Sequence, residues 1–234
     1  CSILTSQHFQ FQTPVFVYYE SLCPDSQAFI TKQLYPAYKM LKDHIEINFI
    51  PFGKSTVRTQ GSDVLFECHH GPNECYGNKI HACAISHIHV DSFQNEHTRE
   101  SLTVDYIDCL MESGNFQNEP YASVARKCAD KVQVKKFESI ENCANSTEGS
   151  KLLEDMGEKT DKLEKPIKSV PTITIRQTYD ANTQRQSLVD FQGAVCTNLP
   201  KPMPAVCRAY SSASSVSGSV TAIIVAIFAA LRFI

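Results

Sequence analysis

The alternation of hydrophobic and polar positions predicts a β-α-β unit near the start of the chain. An apolar, β-branched and aromatic run over about 14–20 is typical of a buried strand, and residues 45–49 alternate as a second strand. Between them, over about 24–42, hydrophobic residues recur at helical spacing. The predicted buried stripe of this helix comprises Ile30, Leu34, Ala37, Tyr38 and Leu41. Two strands joined by such a helix form a right-handed crossover in an α/β sheet.

Two prolines set the expected shape of this helix. Pro24 suits the first helical position, where its missing N–H would have had no partner in any case. Pro36 falls in the middle of the helical pattern, where it should kink or divide the helix because it cannot donate the interior hydrogen bond.

The strand signal is lost from about 60 to 150, and helical patterns replace it over 78–89, 103–112 and 121–132. The same stretch holds six of the cysteines: Cys68, Cys75, Cys83, Cys109, Cys128 and Cys143. We therefore predict a helical insertion that is crosslinked by disulfides.

The sheet is expected to resume after the insertion. Residues 151–165 have an amphipathic helical pattern, residues 170–175 form a strand entered through a proline, and 187–195 is a weaker strand candidate. Cys196 and Cys207 bracket a proline-rich loop and are predicted to pair.

The chain changes character at about residue 211. Small polar residues over 211–219 precede an apolar stretch over 220–231. A helix of that length spans about 18 Å, short of the roughly 30 Å of a hydrocarbon core. The pattern fits a GPI-attachment signal, a short membrane anchor, or a tail that is trimmed or disordered, and Arg232 weakens the first two interpretations. The predicted division is a lead-in over 1–13, one domain over 14–210, and this tail over 211–234.

Composition indicates the cellular compartment of the protein and the class of partner that it binds. The chain has 234 residues, 42% of them hydrophobic, which is enough for one sizeable core. A net charge of −3 gives no reason to expect nucleic acid as a partner. Ten cysteines indicate an oxidising compartment. The start at Cys1 suggests a cleaved secretory signal, and the Asn145 sequon fits passage through the secretory pathway.

The candidate chemistry lies where the first strand meets the first helix. A Cys-Pro-x-Ser tetrad occupies this junction, with Cys23 first and Ser26 last. Backbone amides and the helix macrodipole stabilise an anion at such a position, which favours the nucleophilic thiolate. The neighbouring Asp25 opposes this effect unless its carboxylate turns to solvent. The alternative is that Cys23 belongs to an ordinary disulfide.

A second motif identifies a family resemblance. The stretch from Cys68 to Cys83 resembles the Cys-Gln-His-Gly-x-x-Glu-Cys-x-x-Asn-x-x-x-x-Cys signature of the gamma-interferon-inducible lysosomal thiol reductase family. Each fixed position matches except the second, where His69 replaces glutamine. The resemblance extends over about 14–208, including the Leu-Tyr-Pro of the first helix, the Val-Pro strand entry and the pair Cys196 and Cys207.

The resemblance implies a thioredoxin-like α/β fold with a helical, disulfide-rich insertion. It also implies reduction of protein disulfides in acidic endosomes and lysosomes, a secreted, lysosomal or cell-surface location, and a role in host defence or antigen handling. Cys23 matches the attacking cysteine of the family, and Ser26 stands where the family has the resolving one. Val170 and Pro171 match the loop that offers backbone groups to substrate. No cofactor is expected beyond an external thiol such as cysteine or glutathione.

The missing second thiol leaves three functional hypotheses open. Cys23 can attack a substrate disulfide, but release must then use an external thiol or the thiol freed on the substrate. Alternatively, the chain is a redox-impaired glycoprotein that binds disulfide-bearing polypeptides without turnover. In the third hypothesis another framework cysteine acts as the resolver.

Two further questions concern the cysteine and histidine residues. The signature could suggest zinc, but six and seven residues lie between its successive cysteines, unlike the closer pairs of structural zinc sites. We expect disulfides and no metal there, with His69 and His70 as polar surface or loop residues. Without Cys23 and Cys1, eight cysteines remain, and their 105 connectivities cannot be separated by sequence. Cys1 is free, paired with Cys23, or a remnant of the removed leader.

Overall fold

The computed structural model describes residues 11–61, 63–91, 97–113, 119–163 and 166–211. Most of the predicted lead-in, including Cys1, lies outside the described residues, and so does the C-terminal tail from residue 212 onward. The division into lead-in, domain and tail stays a prediction. Within the described ranges, no helix combines the length and the apolar character that crossing a membrane requires.

The chain alternates strands and helices in its first part and is mainly helical afterwards. The strands are β1 (Thr13–Tyr19), β2 (Ile45–Pro51), β3 (Thr56–Gln60), β4 (Asp63–Glu67) and β5 (Thr172–Ile175). The helices are α1 (Pro24–Phe29), α2 (Tyr35–Leu41), α3 (Pro72–His87), α4 (Arg99–Glu112), α5 (Tyr121–Val132), α6 (Phe137–Ala144), α7 (Thr147–Asp161), α8 (Ala181–Val189), α9 (Phe191–Asn198) and α10 (Arg208–Ser211).

The predicted β-α-β unit forms the centre of the sheet. In the described residues the order is β2-β1-β5, with β1 parallel to β2 and antiparallel to β5. The parallel register begins at Thr13 opposite Ile45, and Val15 lies opposite Ile175 in the antiparallel pair. Because the helix returns the chain to the same end of the sheet, β2 can pair in parallel, as predicted.

The first long helix is divided, also as predicted. A π-helical segment (Ile30–Leu34) separates α1 from α2, and Pro36 follows in the first turn of α2. Proline lacks an N–H, so the helix cannot keep a regular hydrogen-bond ladder through this turn. The predicted stripe is nevertheless buried from Ile30 to Leu41.

Three hydrophobic clusters hold the layers together. One packs β1, β2 and β5 against α1, α2, part of α4 and α9, and includes Val15, Leu34 and Phe191. A second lies inside the helical insertion and includes Ile80 and Tyr106. The third joins the opposite face of the sheet to α3 and α7, with Tyr18, Ile50, Phe52, Ala82, Leu153 and Met156. The insertion is therefore packed on the sheet.

Helices occur where the insertion pattern predicted them, but three of them begin earlier. α5 has the predicted bounds, whereas α3, α4 and α7 begin four to six residues before the predicted starts. Local caps explain two of these shifts. Gly71 adopts φ 87° just before Pro72, and Thr98 forms a reciprocal capping box with Ser101 at the start of α4.

The prediction that strands are absent from about residue 60 is wrong. β3 and β4 form an antiparallel hairpin, with Val57 opposite Phe66. Both of these side chains pack at the edge of the third cluster, while Leu65 is 47% exposed. A short hairpin with one partly buried face carries little hydrophobic pattern, which is why sequence periodicity did not identify it.

The strand candidate over 187–195 is also wrong. This segment contains the end of α8 and the beginning of α9, and Asp190 lies between them. The Asp190 carboxylate accepts a hydrogen bond from the backbone N–H of Gly193 at 3.0 Å and thereby caps α9. Leu188 and Val189 are exposed at the end of α8, so the apolar run was not a buried strand.

Four disulfides crosslink the described part of the chain. They join Cys68 to Cys75, Cys83 to Cys143, Cys109 to Cys128, and Cys196 to Cys207. The first closes the loop before α3, the next two tie helices of the insertion together, and the last fixes the chain after α9. With these thiols in disulfides, the six cysteines of the insertion provide no cysteine ligands for zinc.

Candidate active site

Cys23 lies at the junction of β1 and α1 and carries the one cysteine thiol outside a disulfide among the described residues. It is the N-cap of α1, with extended backbone angles, and only 6% of it is exposed. Its thiol Sγ lies 3.8 Å from the carbonyl oxygen of Val170. The Val170–Pro171 peptide bond is cis. The fold therefore brings Cys23 against the predicted substrate loop.

A buried glutamine holds that loop in place. The Gln184 side chain donates to the carbonyl of Pro171 at 2.9 Å and accepts the backbone N–H of Ile173 at 2.8 Å. In the described sheet β5 pairs with β1 along one edge. On its other edge, Gln184 forms the hydrogen bonds that the backbone of a further strand would otherwise form. Sequence reasoning missed this residue because it assigned no helix before 187.

A groove lies along the predicted substrate loop and includes Val170, whose carbonyl contacts the Cys23 thiol. Its volume is about 470 Å³, and its lining includes Asp25, Phe29, Lys32, Pro171 and Leu188. The walls combine apolar side chains with one acidic and one basic group. Such a groove can accept the hydrophobic side chains of an extended polypeptide beside Val170.

Two signature residues hold the turn that leads to Cys23. The Asn78 side chain accepts the backbone N–H of Ser21 at 2.9 Å, and the Ser21 hydroxyl donates to the carbonyl of Glu74 at 3.2 Å. Within the turn, the N–H of Cys23 donates to the carbonyl of Glu20 at 3.3 Å. The Cys68–Cys83 signature and the Cys-Pro-x-Ser tetrad are therefore parts of one site.

A glycine allows this close approach. A Cβ atom on Gly77 would lie 2.5 Å from the Ser21 hydroxyl and 2.6 Å from the ring of Tyr121. Any larger side chain would push α3 away from the turn before Cys23. The packing of α3 thus fixes the position of the nucleophile candidate.

Ser26 is fully buried one turn along α1. Its hydroxyl oxygen has no hydrogen-bond partner among the described residues, so the structure contains no hydrogen bond from Ser26 to the Cys23 sulfur. A hydroxyl at this position could stabilise the Cys23 thiolate through such a hydrogen bond, but the structure does not make that contact. Position 26 therefore holds a buried side chain that lacks a thiol.

A buried Tyr–His–Tyr chain lies beneath the site. His81 Nδ1 is 2.7 Å from the Tyr19 hydroxyl, and its Nε2 is 2.7 Å from the Tyr121 hydroxyl. Burial lowers the pKa of His81 to about 3, because the charged imidazolium would lose its hydration. The imidazole is therefore neutral and structural in the folded protein over the range of cellular pH.

Acidification should weaken the fold through His81. The unfolded imidazole titrates near pH 6.5, so the unfolded state binds more protons between pH 6.5 and about 3. The contribution of the neutral imidazole to the free energy of unfolding is complete above pH 6.5. It is lost progressively as pH falls, and the loss reaches about 2 kcal/mol at pH 5. The variant His81→Gln should lack this slope in denaturant titrations from pH 7 to 4.5.

Comparing the pH dependence of the free energy of unfolding in wild type and in His81→Gln separates the effect of His81 from that of other titrating groups. Burial raises the pKa of Glu100 and of Asp108 to about 7, so these carboxyls favour the folded state as pH falls. Both groups are present in wild type and variant alike. The matched control is His89→Gln at an exposed histidine, and an unchanged slope in His81→Gln would contradict the assignment.

A second polar cluster adjoins the turn before Cys23. The buried Glu20 carboxylate faces His69 and His70, and each imidazole Nδ1 lies 3.4 Å from Glu20 Oε2. His70 also contacts Glu74, with Nδ1 2.6 Å from Oε2. Both histidines lie in the loop between β4 and α3, as expected, but their rings point to a common carboxylate.

The predicted sites divide into two places in the fold. Cys23, Ser26, Val170 and Pro171 meet at one end of the sheet. Asn145 instead lies exposed between α6 and α7, and its side-chain amide donates to the carbonyl of Glu141 at 2.9 Å. Its glycosylation stays a prediction.

Comparisons with known proteins indicate a family. Residues 14–132 match the family model described as gamma interferon inducible lysosomal thiol reductase. A gamma-interferon-inducible lysosomal thiol reductase-like protein of Anopheles gambiae is 49% identical over 92% of this chain and 88% of its own length. GILT-like protein 1 of Drosophila melanogaster is 50% identical over 91% of this chain and 86% of its own length.

A solved structure shows the fold. The crystal structure of Chlamydia trachomatis DsbA aligns with a TM-score of 0.52 at 11% identity and covers 80% of this chain and 92% of that one. The fold is therefore thioredoxin-like, as predicted, with the helices and disulfides of the insertion added to it.

Proposed function

This chain belongs to the gamma-interferon-inducible lysosomal thiol reductase family, and we propose that it is a thiol–disulfide oxidoreductase acting with one catalytic cysteine. The observation that carries the proposal is the position of the unpaired Cys23 thiol against Val170, with a buried serine at position 26. The substrates proposed are proteins with disulfides in the secretory or endolysosomal pathway. A role in host defence is part of the proposal by family likeness.

The first step forms a mixed disulfide. The Cys23 thiolate attacks one sulfur of the substrate disulfide, the substrate S–S bond breaks, and its other sulfur leaves as a thiolate that takes a proton from water. The carbonyl of Val170 and the groove beside Pro171 hold the polypeptide near Cys23. One electron pair is exchanged, and no cofactor is required.

The second step needs a thiol from outside the site. A free thiol such as cysteine or glutathione attacks the mixed disulfide, and a second equivalent of that thiol completes net reduction of the substrate. Alternatively, the freed substrate thiolate attacks another disulfide of the same substrate, and the different thiol released there attacks the mixed disulfide, so that a new substrate disulfide forms and Cys23 leaves as thiolate. That route is isomerisation, with no net change in oxidation state.

The disulfide framework favours this route over an internal resolver. Eight described cysteines are bonded in pairs, so each would have to break its own disulfide before resolving the adduct. Cys68 and Cys75 follow β4, on the segment whose signature residues also hold the turn before Cys23. Breaking that disulfide would disturb the turn that positions the nucleophile.

The proposal predicts two different dependences on external thiol. Net reduction of a protein substrate should rise in proportion to added cysteine at pH 5 and pH 7. Repair of a substrate with scrambled disulfides should proceed catalytically with only a trace of free thiol. Both are measured by separating the disulfide isomers and the reduced product after acid quench. Binding of the substrate without exchange under either condition would replace the enzyme with the binding glycoprotein.

A further inference from the structure

We propose that Glu20, His69 and His70 form a binding site for a divalent metal ion, with Zn²⁺ as the fitting example. The three potential ligand atoms are Glu20 Oε2 and the two imidazole Nδ1 atoms, and all lie within 4.8 Å of one another. This site uses neither the Cys23 thiol nor its redox chemistry.

The spacing suits tetrahedral coordination. Each Nδ1 atom lies 3.4 Å from Glu20 Oε2. Two ligands placed about 2.1 Å from a tetrahedral ion are separated by roughly 3.4 Å. Two imidazoles and one carboxylate are a common zinc ligand set that leaves the fourth position for water. The distances from Glu20 to the two imidazoles therefore match those between ligands of one tetrahedral ion, and His70 must exchange its contact with Glu74 for the ion.

Glu20 is the independent reason to expect a cation. Its side chain is fully buried, and its Oε1 accepts the backbone N–H of Lys54 at 2.7 Å. Its Oε2 accepts no hydrogen bond within the described structure. A buried carboxylate oxygen without a hydrogen bond is costly, and a bound cation removes that cost.

The backbone fixes the direction of this carboxylate. The Glu20 side chain packs against Gly53, which adopts φ 60°, and a Cβ atom there would overlap the Glu20 side chain. The carboxylate is therefore held between the 53–54 turn and the two histidines. A preorganised ligand loses little conformational freedom when it binds an ion.

The histidines also fit the role of ligands. The Cys68–Cys75 disulfide closes the loop that carries them, and their side chains are 51% and 31% exposed for His69 and His70 respectively. An ion could thus enter from solvent. Glu74 places a second carboxylate 2.6 Å from His70 Nδ1, so the negative charge beside the site exceeds that of Glu20 alone. Binding of an ion at that Nδ1 would replace this contact.

The ligands of this site include no cysteine, so the expectation of no zinc at the signature does not extend to it. That expectation concerned cysteine spacing, and the cysteines of that segment are in disulfides. The second group of possible ligands, at His87 and Glu148, depends on Cys143, which is bonded to Cys83. His69, which departs from the family signature, supplies the second imidazole at Glu20.

Calorimetric titration of the tag-free full chain with ZnCl₂ at pH 7.5 tests the site. We expect one equivalent to bind, and binding to weaken at least ~10-fold in His69→Gln and Glu20→Gln. His87→Gln should bind as wild type does, and so should Cys23→Ser, because the thiol is not a ligand. Co²⁺ should give the visible spectrum of a tetrahedral site without a thiolate band.

Three results would overturn the proposal. These are no binding by wild type, unchanged affinity in His69→Gln, or loss of binding in Cys23→Ser. Circular dichroism and the count of intact disulfides establish that each variant is folded. If Glu20→Gln fails to fold, His69→Gln decides the question, because that histidine is half exposed and carries no hydrogen bond to the turn before Cys23.

Discussion

Replacing Cys23 with serine is expected to reduce disulfide exchange to the uncatalysed rate of the external thiol, a loss of roughly 100-fold or more. A serine hydroxyl cannot form a mixed disulfide, and no other described cysteine has a free thiol. The measurement is the initial rate of exchange with a peptide disulfide, with and without added cysteine. The same variant should form no covalent adduct with the peptide.

The control for this loss is a change in the same turn of helix that leaves the thiol in place. Ser26→Ala removes a buried hydroxyl that makes no hydrogen bond in the described structure, so its exchange rate should remain within about twofold of wild type. Retention of wild-type exchange by Cys23→Ser would exclude the nucleophile assigned here.

Introducing a thiol by Ser26→Cys should have the opposite and second-largest effect. The release of substrate from the mixed disulfide should accelerate at least ~10-fold at millimolar external cysteine and become independent of its concentration. An adjacent thiol in the same helical turn acts at a far higher effective concentration than a dissolved one. Ser26 is fully buried and its hydroxyl has no hydrogen bond among the described residues, so replacing it with the somewhat larger thiol breaks no hydrogen bond.

Single-turnover release measures this effect separately from the later re-reduction of the enzyme. Ser26→Ala is again the matched comparison, because it changes the same side chain without adding sulfur. A Ser26→Cys variant whose release still depends on external thiol would mean that position 26 does not face the adduct. The role given to Ser26 as an absent resolver would then be wrong.

Local patterns in the sequence predicted the β-α-β unit because the hydrophobic residues of each element recur at the spacing typical of its helix or strand. The stripe from Ile30 to Leu41 and the alternation over 45–49 needed no knowledge of distant residues. The hairpin β3–β4 and the pair α8–α9 were missed for the converse reason. The hydrophobic residues of the hairpin and of α8 are few or exposed, and α9, whose apolar residues are buried, is too short to show a clear period. The caps at Asp180 and Asp190 determine where these two helices begin.

The contacts that build the site were likewise not predictable from local patterns, because they join residues far apart in the sequence. The sequence indicated Cys23, Val170 and the signature, but it did not show how the signature supports the thiol. Asn78 holds the backbone of Ser21 across 57 residues, and this contact exists only once α3 packs on the end of β1. The convergence of Glu20 on His69 is of the same kind and left no local pattern.

We propose that Cys23 forms an adduct that the protein cannot resolve by itself. The direct measurement is acid-quenched mass spectrometry of wild type mixed with a disulfide that joins two separate short peptides. Alkylation blocks the thiol of the freed peptide, so that this peptide cannot attack the adduct. We predict one peptide attached at Cys23, persisting without external thiol and decaying in proportion to added cysteine. An adduct that decays equally fast without added thiol, or none at Cys23, would contradict the monothiol account.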